Sequence, residues 1–449
     1  MLVTYAQKGE VSSSQLSEIR KSFEKDANSV ALINAVSNNK LNDLALNREE
    51  VGKIDHNFKY EVNVSGITNQ KSSGRCWMFT SYNVFRPQVM AKYNISSFEF
   101  STNYLFFWDM FEKSNMFLER IIATANQDIY DREVHKLFDS PVGDGGAWNT
   151  FTNLTNKYGA VPKSAMPETY SSEHTSNFTK ILKEKLRKDG LELREAIGKK
   201  ASKKEIEAKK IEMLKEVYRI LVLNLGEPPV EFEWRYKDKD NKISEYKKYT
   251  PKSFWEESIG ANLDEFVMFI DDPSREYYKL YEVDNDRNVI EGVNWLYINL
   301  PAAELKKYAL ESIKDNRAMY FSCDVGKQLE NSEGILSLEN YDYESLYGID
   351  LKMTKKQRMM AHQSGSSHGM ALVAVDLDKD GNFTKWRVEN SWGASSGNNG
   401  YLTITDDWFN EYMYRLVIEK KYLDDKILDI LKQKPTKVPY YNPAFIMDM

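Results

Sequence analysis

The 449-residue sequence predicts an α+β fold, with mainly helices in its first part and a small sheet or barrel in its last third. Apolar residues after Cys76 recur every three or four positions, the spacing of a helix that packs on one face. A second stripe of this kind runs through residues 211–225. After residue 295, short apolar and aromatic runs typical of strands dominate. Helical and strand-rich parts in this order predict the α+β class.

The chain is longer than one compact core usually holds, so we expect several packed units. Ser14 is the predicted cap of the first helix. In chain order, the predicted parts are N-terminal helices and an arm (1–55), a helical lobe (56–171), an insertion of helices and a β-hairpin (172–300), a strand-rich lobe (301–434) and an extended C-terminal arm (435–449).

The helix that follows Gly74 carries the first candidate for chemistry. Its apolar stripe places Cys76 in or near the first turn, where the positive end of the helix dipole favours a thiolate. The alternative is a small buried core residue, since cysteine is often buried. Pro87 lies inside the stripe and predicts a kink or an end of the helix.

Gly145 and Gly146 form a second candidate, because paired glycines allow another backbone to approach closely. In a cleft that backbone could be a substrate, whereas the alternative is a tight turn before a helix near Trp148. The other cysteine, Cys323, lies in a predicted strand and is expected to be structural.

Charge argues against a general nucleic-acid-binding surface, since the net charge is −6. Residues 180–219 nevertheless contain 14 basic and 8 acidic side chains. A solvated helical face is the favoured explanation, because these charges interleave with an apolar stripe. The alternative is a surface that binds nucleic acid, which no motif supports. Two apolar runs flank Asp238–Lys242 and predict a hairpin there.

Two cysteines do not make a disulfide framework, so we expect a reducing compartment and a cytoplasmic protein. No segment of signal-peptide type or of membrane-spanning length is recognised, so we expect no membrane attachment. The loop that starts at Asp376 imitates a calcium loop, but Arg387 stands where a glutamate is needed. No zinc or phosphate-binding motif occurs either, so we expect no metal and no cofactor.

His368 begins one predicted strand and Asn390 follows the next, so both lie at one end of a predicted hairpin. A two-residue turn at Asp380–Gly381 would place the two side chains on opposite faces, because side chains alternate along a strand. A three-residue loop would pair Asn390 with Met370 and place it on the face of His368. We predict this second register.

Cysteine, histidine and asparagine together meet the needs of acyl transfer. Cys76 would attack as a thiolate, His368 would hold its proton, and Asn390 would orient the imidazole. Gln70 could donate N–H groups to an oxyanion together with the backbone N–H of Cys76.

Five ordered segments resemble one family, the papain-like cysteine peptidases of the bleomycin hydrolase and aminopeptidase C type. The resemblance runs from about residue 10 to the C-terminus and includes the insertion. The segments that carry it are NQKSSGRCWMF (69–79), KYGAVPK (157–163), MPET (166–169), CDVGK (323–327) and KWRVENSWG (385–393).

The resemblance implies a two-lobed papain-like fold, a homohexamer, and peptide substrates that lose N-terminal amino acids. It assigns catalysis to Cys76, His368, Asn390 and Gln70, shielding of the His–Asn contact to Trp392, and substrate-backbone pairing to Gly145 and Gly146. It also implies that the carboxylate of Met449 holds the substrate amine.

The tail departs from the family pattern, because Tyr441-Asn442-Pro443 precedes bulky residues where small ones are usual. An endopeptidase or an enzyme of altered cleavage register therefore stays open beside the aminopeptidase. A non-catalytic, nucleic-acid-binding hexamer is the alternative from another class, although it would not need all four catalytic residues.

Overall fold

The structure is a computed structural model that describes residues 9–439. They form two compact units, one combining the segment up to residue 53 with residues 339–352, the other comprising residues 54–338 and those from 353 onward. The helices are α1 (Ser13–Lys21), α2 (Ala27–Asn38), α3 (Leu41–Ala45), α4 (Cys76–Lys92), α5 (Thr102–Ala123), α6 (Arg132–Asp139), α7 (Trp148–Tyr158), α8 (Tyr170–Glu173), α9 (Ser176–Gly198), α10 (Lys203–Leu225), α11 (Pro251–Ser258), α12 (Ala302–Lys314), α13 (Tyr343–Tyr347), α14 (Lys355–Met360), α15 (Asp406–Tyr412) and α16 (Asp425–Ile430). The strands are β1 (Tyr60–Glu61), β2 (Phe232–Trp234), β3 (Lys247–Tyr249), β4 (Phe266–Ile270), β5 (Lys279–Asp284), β6 (Trp295–Asn299), β7 (Met319–Cys323), β8 (Leu329–Glu330), β9 (Ile335–Leu336), β10 (His368–Leu377), β11 (Phe383–Glu389), β12 (Tyr401–Thr405), β13 (Met413–Glu419) and β14 (Thr436–Pro439).

The smaller unit contains α1, α2, α3 and α13. Ser12 caps α1, since its hydroxyl accepts the N–H of Gln15 and the Gln15 side chain accepts the N–H of Ser12. The prediction of Ser14 as the cap is therefore wrong by two residues. Neither α1 nor α2 has a buried residue. The large apolar side chains exposed on and beside these helices include Val11, Leu16, Ile19, Phe23, Val30, Leu32 and Ile33.

The larger unit is organised around one twelve-stranded sheet. Its strands follow the order β14-β5-β6-β4-β13-β7-β10-β11-β12-β9-β8, and β1 lies beside β10. The predicted strands of the last third are confirmed as β6, β7, β10, β11 and β12, whereas β13 was not predicted. The sheet also includes β4 and β5 from the segment assigned to the insertion; that division stays a prediction. The small hairpin of β2 and β3 is confirmed.

Two helices of the helical part differ from expectation. α4 begins at Cys76 as predicted, but it continues through Pro87 to Lys92, so the helix does not end at the proline. The sequence pattern predicts an aromatic stretch over residues 104–111 and a separate helix near 114–130, but α5 is one 22-residue helix that covers the stretch and the start of the later helix. Its aromatic residues lie in the same buried core as those of α4 and α7.

Several basic residues on and beside α9 and α10 form ion pairs with carboxylates, as expected for a solvated helical face. The ion pairs include Lys185 with Asp189 and Glu216, Lys188 and Lys209 with Glu192, Lys199 with Glu195, Lys210 with Glu119 and Glu207, and Lys215 with Glu212.

The predicted register of β10 and β11 is confirmed. Asp378 N–H donates to the carbonyl of Asn382, which leaves a three-residue loop that ends on Gly381 with φ of 85°. The ladder then shifts once after this loop and shifts back before Ala371 pairs with Glu389. Because the two irregularities cancel, Asn390 follows at the position opposite Met370, on the face of His368.

Candidate active site

Cys76 is the first residue of α4, and the residues before it are fixed by buried charges. The guanidinium of Arg75 is fully buried and lies 2.9 Å from Glu168. The N–H of Gly74 donates to Asp144 Oδ2 at 2.6 Å. A Cβ at position 74 would lie 2.4 Å from Asp144 Oδ1, so a larger residue there would displace this carboxylate. These contacts present the cysteine at the start of the helix, where it is partly exposed.

His368 and Asn390 form the second part of the site. His368 Nε2 lies 2.8 Å from Asn390 Oδ1, and both residues are buried. The N–H of Ser391 also donates to Asn390 Oδ1 at 2.7 Å, so this oxygen acts as an acceptor. Nε2 therefore carries the proton, and Nδ1 is left as the basic nitrogen of His368.

The surroundings of His368 favour a neutral imidazole. Burial lowers the pKa of His368 from 6.5 to about 4, although the hydrogen bond to Asn390 acts in the opposite direction. The ring of Trp392 lies over the histidine with 4.8 Å between ring centroids. An imidazole in this environment can accept a proton at neutral pH.

Gln70 is held in one orientation by the segment that follows Asn390. Its Oε1 accepts from the Ser391 hydroxyl at 2.6 Å, and its backbone N–H donates to the Ser391 carbonyl at 2.8 Å. Its Nε2 donates to the carbonyl of Ser73 at 2.6 Å. Since an amide nitrogen has two hydrogens, Nε2 retains a second donor.

One cleft of about 180 Å³ brings the predicted residues together. Gln70, Cys76, Gly145, Gly146 and His368 all line it. Asn390 and Trp392 contact His368. Met449 lies outside the described residues. The cleft thus has a thiol, an oriented imidazole and an amide donor on its walls, which is a set suited to acyl transfer.

The glycine pair forms a fixed wall of the cleft. A side chain at Gly146 would approach the Trp77 ring to 2.7 Å. Lys113 Nζ donates to the carbonyls of Gly143 and Gly145 at 2.9 and 2.6 Å, and it lies 2.6 Å from Asp109. The glycine pair also precedes a helix, as the tight-turn alternative predicts, since α7 begins two residues after Gly146. The loop is both a turn and a cleft wall.

Sequence reasoning missed several residues that build the site. Ser391 orients Gln70, Lys113 holds the glycine loop, and Asp144 lines the cleft beside Gly74. Asp144 directly precedes Gly145, and Ser391 directly follows Asn390. Their adjacency to predicted site residues could therefore have identified them. No sequence pattern identifies Lys113, because its contacts join elements that are distant in sequence.

The described residues also bear on metal binding, on membrane spanning and on the second cysteine. Within residues 9–439, no cluster of three His, Cys, Asp or Glu side chains could hold a metal ion. Over the same range, no helix has the length and apolar character needed to cross a membrane. Cys323 is buried in β7, and burial raises the pKa of its thiol well above the ordinary value.

Comparison with known proteins agrees with this geometry. The family model described as the Peptidase C1-like family matches residues 10–444. Human bleomycin hydrolase is 38% identical over 444 residues, which cover 96% of this chain and 98% of that protein. Aminopeptidase C of Streptococcus thermophilus is 37% identical over 423 residues, covering 94% of this chain and 95% of that protein.

A solved structure of pepw from Lactobacillus rhamnosis HN001 has a TM-score of 0.94 and 39% identity, covering 97% of this chain and 99% of that one. Likeness of this extent includes the insertion as well as both halves of the cleft. The chain has a papain-like α+β fold and belongs to the Peptidase C1-like family, in the group that includes bleomycin hydrolase and aminopeptidase C.

Proposed function

We propose that the protein is a thiol aminopeptidase that removes the N-terminal amino acid from peptides. The observation that carries the proposal is the single cleft onto which Cys76, His368 and Gln70 open, with Asn390 bonded to the far side of the imidazole. The names of the relatives, bleomycin hydrolase and aminopeptidase C, support a peptide-like substrate.

In this mechanism, Cys76 Sγ attacks the first peptide carbonyl as its proton passes to His368 Nδ1. Asn390 keeps Nδ1 turned to the cleft, because its Oδ1 engages Nε2–H. The imidazolium then protonates the leaving amine, the C–N bond breaks, and the first residue remains as a thioester on Cys76. Water that loses a proton to His368 hydrolyses the thioester and restores the thiol.

Gln70 would stabilise the negative oxygen that forms in both steps. Its second Nε2 hydrogen and the backbone N–H of Cys76 are the proposed donors. The bonds from Ser391 and to Ser73 hold the amide before substrate binds, so little reorganisation is needed at the moment of reaction.

We expect the acid limb of kcat/KM to lie well below pH 6.5. As pH falls, His368 loses its function as a base only on protonation, and burial lowers its pKa to about 4. Trp392→Ala admits water beside the imidazole, so burial should lower the pKa of His368 less. The acid limb should then move toward pH 6.5. The measurement is kcat/KM against pH for both proteins. Identical acid limbs would contradict the shielding role of Trp392.

We expect Lys113→Met combined with Asp109→Asn to raise KM about tenfold, with a smaller change in kcat, since bonds from a charged donor hold the glycine loop. The double change avoids an uncompensated buried carboxylate at Asp109. Steady-state kinetics on a dipeptide amide measures the changes in KM and kcat separately. Lys215→Met is a matched control, because Lys215 is exposed and pairs only with Glu212 among described residues. A loss confined to kcat would argue against the role of Lys113 in positioning the glycine loop.

The exopeptidase activity is proposed to depend on the C-terminal tail, with the carboxylate of Met449 holding the substrate amine. β14 runs parallel to β5 and ends with Pro439 opposite Asp284. The residues directly after Asp284 line a second cavity of about 190 Å³, which shares Gly145 and Gly146 with the cleft. Ten residues follow Pro439, and an extended segment of that length reaches ~33 Å. The position of β14 supports a tail that can reach the cleft.

The test compares an amino-acid amide carrying a free amine with its acetylated form. The proposal requires turnover of the free amine and little turnover of the acetylated form, and equal turnover would overturn it. Deletion of Met449 should raise turnover of acetylated or internal bonds relative to free-amine substrates. Unchanged selectivity after this deletion would favour the alternative, an endopeptidase or an altered cleavage register.

We propose in addition that the chain assembles as a homohexamer. The apolar side chains that α1 and α2 expose in the single chain support self-association through the smaller unit. Analytical ultracentrifugation tests the proposal: a sixfold mass is expected for the natural chain and a smaller particle for Phe23→Glu combined with Ile33→Glu. A monomeric natural chain would refute it.

A further inference from the structure

We infer that Asp144 makes the cleft selective for peptides whose first residue is lysine or arginine. The inference rests on the proposed aminopeptidase function and names the substrates that the same site would prefer. It follows from the position of one carboxylate, from the bonds that fix it, and from the charges around it.

Asp144 lines the cleft together with Cys76 and the glycine pair. Its Oδ2 accepts from the N–H of Gly74 at 2.6 Å and from the hydroxyl of Thr175 at 2.5 Å. Its backbone carbonyl accepts from Trp77 Nε1 at 2.8 Å. Among the described residues, none donates a hydrogen bond to Oδ1. The carboxylate is therefore fixed through one oxygen, while the other can accept from a ligand.

Gly74 brings that oxygen close to the place of reaction. A Cβ at position 74 would lie 2.4 Å from Oδ1, so this oxygen packs directly against the backbone of Gly74, two residues before Cys76. Gly74, Cys76 and Asp144 all line the cleft, so in the proposed mechanism the residue whose carbonyl is attached to Cys76 lies beside this wall. A long side chain on that residue can run over Gly74 and end beside Oδ1.

The local charges leave the carboxylate attractive to a cation. Of the described residues that line the cleft, Asp144 alone carries a carboxylate, and none is a lysine or arginine. The nearby cations have closer partners, since Lys113 lies 2.6 Å from Asp109 and Arg75 lies 2.9 Å from Glu168. A charged hydrogen bond to Oδ1 from an ammonium or guanidinium would thus meet no competing cation on the cleft wall.

The substrate's α-amine is also a cation, and the test must separate it from the side chain. A carboxylate that bound the α-amine would affect all unblocked substrates equally. A carboxylate that binds the side chain affects only those with lysine or arginine in first position. Selectivity between substrates, rather than activity, is therefore the informative measurement.

The experiment measures kcat/KM for the amides of arginine, lysine, methionine and leucine with a common fluorogenic leaving group. Asp144→Asn keeps the shape of the side chain and an acceptor for Gly74, but removes the charge. We expect the ratio of arginine to methionine turnover to fall about tenfold in this variant. Rising salt should lower the same ratio in the natural enzyme and leave it constant in the variant.

Asp264→Asn is the matched control, because it removes the charge of an exposed carboxylate that does not line the cleft. Its arginine-to-methionine ratio should equal that of the natural enzyme. An unchanged ratio in Asp144→Asn, or an equal loss for all four substrates, would overturn the inference. If the natural enzyme hydrolysed none of the four amides, the proposed function itself would fail, so the two failures are distinguishable.

Discussion

Replacement of Cys76 by alanine is expected to lower kcat/KM on the order of 10⁵-fold, because loss of a nucleophile removes the covalent route entirely. The side chain lies at the first position of α4 and is partly exposed, so the change leaves no large cavity in the core. Folding should therefore be preserved while activity is lost. The measurement is hydrolysis of a free-amine amide, paired with circular dichroism to verify the fold.

Cys323→Ala is the matched control, since Cys323 is the second cysteine of the chain. It is fully buried in β7, and its backbone pairs with that of His368. We expect this variant to retain most activity and to lose only the modest stability of a small buried side chain. Peptidase activity that survived in Cys76→Ala, or vanished only in Cys323→Ala, would refute the assignment of the nucleophile.

Replacement of Glu389 by leucine is expected to lower the free energy of unfolding of the larger unit by about 3–5 kcal/mol. Glu389 Oε1 lies 2.8 Å from Arg86 Nη2, and both side chains are almost fully buried. Arginine cannot shed its proton, so the variant leaves a buried charge whose remaining described partners are the carbonyl of Gly66 and the amide oxygen of Asn83. Neutral acceptors compensate such a charge only in part.

Unfolding in urea, followed by tryptophan fluorescence, measures this effect, because all nine tryptophans lie in the larger unit. The experiment is best performed near pH 8, since burial raises the pKa of Glu389 to about 7 and the carboxylate is ionised above it. Glu212→Leu removes an exposed ion pair with Lys215 and should change stability by no more than about 0.5 kcal/mol. Equal effects of both substitutions would show that the buried pair contributes no more than a surface one.

The residues of the candidate site were predictable because each lies at a boundary that local patterns mark. The helical stripe begins directly after Cys76, and strand patterns begin at His368 and end before Asn390. The hairpin register was predicted from the requirement that His368 and Asn390 share a face, which a three-residue loop satisfies. The two ladder irregularities between the loop and Asn390 were not predictable, because such bulges depend on packing across the sheet.

Other features were out of reach because they depend on contacts between distant elements. α5 joins an aromatic stretch and a helix that the prediction kept apart, and Asp109 and Glu112 lie among its apolar residues. Both are buried, and they pair with Lys113 and Lys157, so the helix tolerates them. Likewise, α4 continues past Pro87 while packed in the core. Tertiary packing overrides local preference in each case.

The order of the catalytic groups along the chain has a consequence for synthesis. Cys76 leaves the ribosome early, while β10, which begins with His368, and Asn390, which directly follows β11, are made only near the end. β10 then has to pair with β7 before His368 is placed. In the proposed mechanism a nascent chain therefore has a thiol with no base beside it, and we expect activity to begin only after β7, β10 and β11 have paired.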